Sequence, residues 1–196
     1  MEDKLNFTIV APCFNEEENI FPLVKSIKNF LELNKLNAEL ILVDDGSIDT
    51  TYEKAIEMQK NFKNIKVIKN EKNKGIFNSW RIGVNAARSE IIILIDGDLQ
   101  NPVFEIKNLY NRFINSSSDI VIGSRKYKED NIDIRYFFSK GLCKLLNIFF
   151  STKLKDAKSG FVCSYKDTLN DILNFKFSYF FPQTFINISA IKKGYN

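Results

Sequence analysis

Residues 91–102, IIILIDGDLQNP, run five apolar residues into two acids separated by a single glycine. An unbroken apolar run of this length is the pattern of a strand covered on both faces, as in the parallel sheets of α/β proteins. Asp96 and Asp98 then stand at its carboxyl end, the side of an open α/β sheet where ligands bind. Two like charges so close together need a reason.

The neighbouring sequence repeats the pattern. Residues 7–11 (FTIVA), 38–45 (AELILVDD), 65–70 (IKVIKN) and 119–123 (DIVIG) read as further strands. Between them lie amphipathic helices at 18–35, 49–62, 77–88 and 102–116, with Pro22 and Pro102 in first turns and Asp49 as an N-cap candidate. This alternation predicts an α/β fold with a mainly parallel sheet flanked by helices. Asn15 to Glu17, Asp44 with Asp45, and Asp96 with Asp98 then share one rim.

After Gly123 the rhythm breaks. Residues 135–150, RYFFSKGLCKLLNIFF, read as a helix with large apolar residues on more than one face, either a core helix or a surface for lipid or a partner. Residues 157–165 read as a turn and a strand, and 185–196 as a helix stopping at Gly194. Residues 1–124 carry 15 basic and 18 acidic groups, whereas 125–196 carry 13 and 6. The basic second part is either a lysine-rich solvated face or a surface for phosphates or an anionic membrane.

Composition excludes several chemistries. The chain has 196 residues and no histidine, so His-based triads are ruled out and any general base is a carboxylate, cysteine or lysine. Cys13, Cys143 and Cys163 are too few and too scattered for a disulfide framework or a conventional zinc site. There is no G-x-G-x-x-G and no P-loop, which disfavours dinucleotide oxidoreductases and P-loop phosphotransferases. No nucleic-acid recognition motif appears. No apolar run approaches the roughly 18 residues of a spanning helix, and the first residues lack a signal-peptide layout, so a cytoplasmic location is expected.

A divalent hard cation would cancel the repulsion at the rim. In an extended or turning segment Asp96 and Asp98 can aim at a common point, with Gly97 permitting tight geometry. Mg²⁺ or Mn²⁺ takes such oxygen ligands and completes its shell with water and substrate phosphate. Gln100 could add an oxygen. Asp44 or Asp45 can accept hydrogen bonds from a base or ribose, and Arg125 beyond the fifth strand suits phosphate oxygens.

These segments together resemble the inverting family 2 glycosyltransferases of GT-A fold, particularly dolichyl-phosphate mannose synthase-like and polyprenyl-phosphate glycosyltransferases. The resemblance is carried by APCFNEEENI, ILVDDGSIDTT, NKGIFNSWRIGVNAARSE, DGDLQNP, VIGSR and KDAKSGF, in that order. It implies one glycosyltransferase domain over 1–196, with a nucleotide-sugar-binding part at 1–124 and an acceptor-side part at 125–196. By the same resemblance, Pro12, Phe14, Glu16 and Asp44 would hold the nucleoside end of a UDP- or GDP-linked donor. Asp96, Asp98 and Gln100 would hold the metal, with Arg125 near the phosphates. Asp156 would act as catalytic base or orient the acceptor.

The resemblance further implies inverting transfer to a polyprenyl phosphate or a surface glycan, with peripheral contact at the inner face of the membrane. Relatives usually continue into a strand and a closing loop, so a C-terminally truncated chain is expected. A rival reading is a nucleotide-binding scaffold without catalysis.

Overall fold

The computed structural model describes residues 4–99, 101–124, 134–152, 154, 156, 159–174 and 181–196, with side chains of the helix beginning at 134 described from residue 140. Among these residues six strands form one sheet: β1 (Phe7–Cys13), β2 (Ala38–Asp44), β3 (Ile65–Lys69), β4 (Ile91–Leu94), β5 (Ile120–Ile122) and β6 (Val162–Tyr165). Their order across the sheet is β3-β2-β1-β4-β6-β5. β1 pairs parallel with β2 and β4, and β2 with β3, whereas β6 runs antiparallel between β4 and β5.

The described residues include seven helices: α1 (Ile20–Asn34), α2 (Thr51–Asn61), α3 (Ile76–Ala86), α4 (Glu105–Ile114), α5 (Ile134–Phe150), α6 (Lys166–Leu173) and α7 (Pro182–Lys192). Strand alternation decides which helices pack where. Phe7, Ile9 and Ala11 of β1, with Leu40, Leu42 and Ile93, face a layer made by Ile20, Leu23 and Ile27 of α1, Met58 of α2 and Ile106 and Phe113 of α4. Val10, Ile41, Val43, Ile92 and Leu94 face the other way, against Trp80 and Val84 of α3, Leu169 and Leu173 of α6 and Ile186 of α7. Each such fully buried side chain contributes about 1.5–3 kcal/mol of transfer free energy. All seven residues of β1 and of β2 are buried, as their unalternating apolar sequence requires.

The expected strands and helices are present, with local differences. α2 begins at Thr51 rather than directly after Asp49, because the Asp49 carboxylate reaches one residue further and accepts the Thr51 N–H at 3.0 Å. α7 starts a turn before residue 185, at Pro182, whose fixed φ and missing N–H suit the first helical position. α6 follows β6 without a break. All three cysteines are free and buried.

This topology puts the carboxyl ends of β1, β2 and β4 on one edge. Past Asp44 the ladder continues for one residue, with Asp45 N–H donating to the Cys13 carbonyl at 2.8 Å. No described helix is long and apolar enough to cross a membrane.

Candidate functional site

At that edge lies a cleft of about 440 Å³ lined by Pro12, Phe14, Glu16, Asp45, Asp96 and Asp98, together with Asn73, Ile76 and Gln183. A slightly larger cavity of about 480 Å³ sits elsewhere, between the C-terminal turns of α1 and α2, where its polar lining includes Lys28, Glu32, Lys35 and Lys63. Only the first brings paired aspartates to strand ends, so it is the candidate site.

The floor is set by Gly97. A Cβ there would stand 2.7 Å from the Pro12 carbonyl and 3.0 Å from Cys13 Sγ, so only glycine lets the acid turn press against the end of β1. Leu99 completes the turn at φ 61°, a left-handed conformation uncommon for a branched side chain. Asn101 donates from Nδ2 to Asp96 Oδ2 at 3.2 Å. Cys13 is a packing residue, and burial with the nearby Glu16 and Asp44 pushes its thiol far above the ordinary range.

The two acids after β2 have different surroundings. Asp45 accepts from Asn70 Nδ2 at 2.7 Å and Lys74 N–H at 3.0 Å on Oδ1, and from Gly75 N–H at 2.8 Å on Oδ2. It therefore ties the entry to α3 to the end of β2. Asp44 is buried, accepts from Ser47 N–H at 3.3 Å, and leaves Oδ2 without a hydrogen-bond partner among the described residues. Gly46 makes the turn between them and Ser47 at φ 74°, pressed against the Lys72 backbone.

Two loops close one side of the cleft. Asn15 N–H donates to Ser47 Oγ at 2.9 Å, and Ile48 N–H returns to Asn15 Oδ1 at 3.0 Å. Glu16 N–H donates to Thr51 Oγ1 at 2.8 Å, and the Glu17 carboxylate accepts from the Thr50 hydroxyl and N–H. The sequence pairs NEEEN with GSIDTT only through this tertiary contact.

Asp156 is not among the residues lining the cleft. It is 8% exposed, and its carbonyl accepts from Nδ2 of Asn187, a buried residue of α7. α7 also supplies Gln183 to the cleft, a contact that no sequence motif announced. The same loop approaches the acids at Gly160, where a Cβ would stand 3.0 Å from Asp96 Oδ1. Arg125 and Gln100 lie outside the described residues.

No group of three metal-ligating side chains occurs among the described residues. The Asp96 and Asp98 pair offers hard oxygen donors only, and both acids line the one cleft together with Glu16. These features fit a divalent hard cation that takes its remaining oxygens from a ligand and water.

Comparison with known proteins gives the same direction. A family model described as "Glycosyl transferase family 2" matches residues 8–171. The dolichol-phosphate mannosyltransferase of Pyrococcus furiosus is 32% identical over 174 residues, covering 86% of this chain and 48% of that protein. An uncharacterized protein of Methanocaldococcus jannaschii is 33% identical over 196 residues, covering 94% of this chain and 82% of its own. The chain thus spans about half the length of the Pyrococcus protein. Among solved structures, glucosyl-3-phosphoglycerate synthase from Mycobacterium tuberculosis, in complex with Mn²⁺, UDP and glucosyl-3-phosphoglycerate, superposes with a TM-score of 0.70 at 19% identity, covering 95% of this chain and 65% of that one.

Proposed function

The chain belongs to the family 2 glycosyl transferases, with a GT-A fold and kinship to dolichol- and polyprenyl-phosphate sugar transferases, and from that membership we propose a sugar transfer. A nucleoside-diphosphate sugar, UDP- or GDP-linked, donates its sugar to an oxygen nucleophile, with inversion at the anomeric carbon. The observation that carries this is the convergence of Asp96 and Asp98 with Phe14, Glu16 and Asp45 in one cleft at the strand carboxyl ends.

Pro12, Phe14 and Glu16 form the wall for the nucleoside end. Asp44 offers its unpartnered Oδ2 as acceptor for a ligand's N–H or O–H, since buried polar atoms are otherwise paired. Asp45 shapes this pocket by holding the backbone at Lys74 and Gly75. Asp96 and Asp98, with Gln100, hold Mg²⁺ or Mn²⁺. When bound, the ion supplies positive charge against the donor diphosphate. Arg125 adds a second cation to the leaving group. The nucleophile is placed in line with the bond that breaks, and that placement supplies much of the rate.

The proposed acceptor is a polyprenyl phosphate at an anionic membrane surface. Residues 125–196 form the acceptor-side part, and within it α5 exposes Leu145 at 54%, Ile148 at 67% and Phe149 at 79%. Lys144 and Lys140 lie about one and two turns before Ile148 on the same helix and are also exposed. An apolar stripe beside lysines suits the headgroup boundary of a bilayer. A phosphate oxygen is already anionic near neutral pH, so Asp156 orients this acceptor rather than deprotonating it. With a hydroxyl acceptor it would serve as the base.

Calorimetric titration of the chain with UDP, GDP and their sugar conjugates, with and without Mn²⁺, tests the donor half. Binding of one nucleotide series that requires both metal and Asp98, checked with Asp98→Ala, is expected. A folded chain that binds no nucleotide in a metal-dependent way overturns the reading in favour of a scaffold. Transfer to a surface glycan but not to a short polyprenyl phosphate overturns the acceptor assignment alone.

A further inference from the structure

The segment between α5 and β6 carries Asp156. One side chain on α5 spans it. Asn147 donates from Nδ2 to the Leu154 carbonyl at 3.0 Å, and its Oδ1 accepts from Thr152 Oγ1 at 2.7 Å and Leu154 N–H at 2.8 Å. The Asn147 backbone carbonyl accepts the Thr152 N–H at 3.1 Å. The chain reverses at Ser151 with φ 53°, directly after the helix, and Thr152 is buried against it.

We infer that Asn147 is a positioning residue, which fixes Asp156 relative to α5 by binding Thr152 and Leu154. This rests on the proposed role of Asp156 toward the acceptor. Only an amide can fill the place: it donates and accepts from one short side chain, whereas a carboxylate cannot donate to the Leu154 carbonyl and an aliphatic residue can do neither. Asp156 stands two positions after Leu154 in the sequence, and its carbonyl accepts from Asn187 Nδ2 of α7 at 3.3 Å. The acid is thus suspended between two amides on two different helices. Asn147 also directly precedes Ile148 and Phe149, the exposed apolar residues of α5. The helix that meets the acceptor's surroundings and the loop that bears the acid consequently keep one register.

The test compares Asn147→Ala, Asn147→Asp, Asp156→Asn and the double variant Asn147→Ala/Asp156→Asn in the full chain. Amide hydrogen exchange is followed across residues 150–156 and in β1, and transfer is followed with the nucleotide sugar selected by calorimetry and a short polyprenyl phosphate. In Asn147→Ala, exchange at Leu154, whose N–H loses its Oδ1 acceptor, should rise roughly tenfold or more, while the Thr152 N–H, bonded to the backbone carbonyl of residue 147, and β1 stay protected. Its kcat should fall on the order of tenfold to a hundredfold with donor KM unchanged, the pattern of a misplaced group. Asn147→Asp, which keeps the accepting contacts, should lie between. The double variant should be no slower than Asp156→Asn alone, because both changes act through the same carboxylate.

Unchanged exchange in a folded Asn147→Ala overturns the inference, as does a loosened loop with wild-type kcat. So does a double variant slowed by the product of the single effects. A wild-type chain inert with every nucleotide sugar sinks the proposed function instead. In that case the exchange measurement alone decides whether Asn147 holds the loop.

Discussion

A Cβ at Gly160 would stand 3.0 Å from Asp96 Oδ1 and 3.3 Å from its Oδ2, with Cζ2 of Trp80 at 3.2 Å. Trp80 is fully buried in the core and has no room to yield, so the carboxylate must move. Gly160→Ala is therefore expected to leave the fold intact and to weaken Mn²⁺-dependent nucleotide binding by about tenfold or more, the usual effect of disturbing the surroundings of a metal ligand. Calorimetry beside a thermal melt separates the two effects. Wild-type metal dependence in this variant would show that Asp96 is free to adjust, and that the closeness of the two residues has no bearing on the metal.

Asp44 and Asp45 are adjacent in sequence and should respond oppositely to substitution. Asp45→Ala removes the acceptor of Asn70 Nδ2, Lys74 N–H and Gly75 N–H, and stability should fall by about 2–4 kcal/mol in urea unfolding. Asp44→Ala loses only the long Ser47 contact and should cost about 1 kcal/mol. Its larger effect belongs in nucleotide affinity, because Asp44 Oδ2 is the atom kept without a partner. Equal stability losses would contradict this division.

The fold was legible where the physics is local. The apolar runs at 7–11, 38–45 and 91–95 dictate strands buried on both faces, and β1, β2 and β4 follow. Helical spacing in residues 18–35 likewise gave the buried face of α1. The insertion of β6 between β4 and β5 was not legible, since VCSY carries nothing that states its neighbours or direction. α6 was missed because KDTLNDIL is short and polar, and its buried Leu169, Ile172 and Leu173 gain meaning only against α3. In the site, the Asp96 and Asp98 pair was visible as a motif after an apolar strand. Gln183, Asn147 and Asn187 were not, because each acts through tertiary contacts that no motif or periodicity in the sequence marks.

Low pH should open the clamp between the loops after β1 and β2. The Thr50 hydroxyl and N–H hold the Glu17 carboxyl below its ordinary range, helped by Lys54. Burial pushes Asp49 upward, but the hydroxyl and N–H of Thr51 and the N–H of Glu17 outweigh it and leave its carboxyl low. Both groups are depressed in the folded chain. Their contribution is therefore complete above the unfolded values of about 4.3 and 3.9, and is lost as pH falls through the lower folded values. The difference in stability between wild type and Glu17→Gln/Asp49→Asn should shrink below about pH 4 and stay constant above about pH 5. A difference independent of pH down to acid unfolding would show that these carboxylates are not coupled to folding.

The stripe on α5 makes a prediction that does not depend on catalysis. Ile148 and Phe149 are 67% and 79% exposed, so replacing them with serine removes little buried surface and should change stability by less than about 0.5 kcal/mol. If the stripe meets a bilayer, the same changes remove the apolar part of binding, each buried side chain being worth about 1.5–3 kcal/mol. Ile148→Ser/Phe149→Ser should then sediment with vesicles of phosphatidylglycerol and phosphatidylcholine at least about tenfold more weakly than wild type. Lys140→Ala/Lys144→Ala should weaken binding at low salt and much less at high salt, because its contribution is screened over about 10 Å at 0.1 M. Wild-type chain that ignores vesicles of every charge would leave the stripe without a lipid role, and a soluble acceptor would then suit α5 better. Binding that responds to the lysines but not to Ile148 and Phe149 would place the protein on the headgroups alone, with the apolar face turned elsewhere.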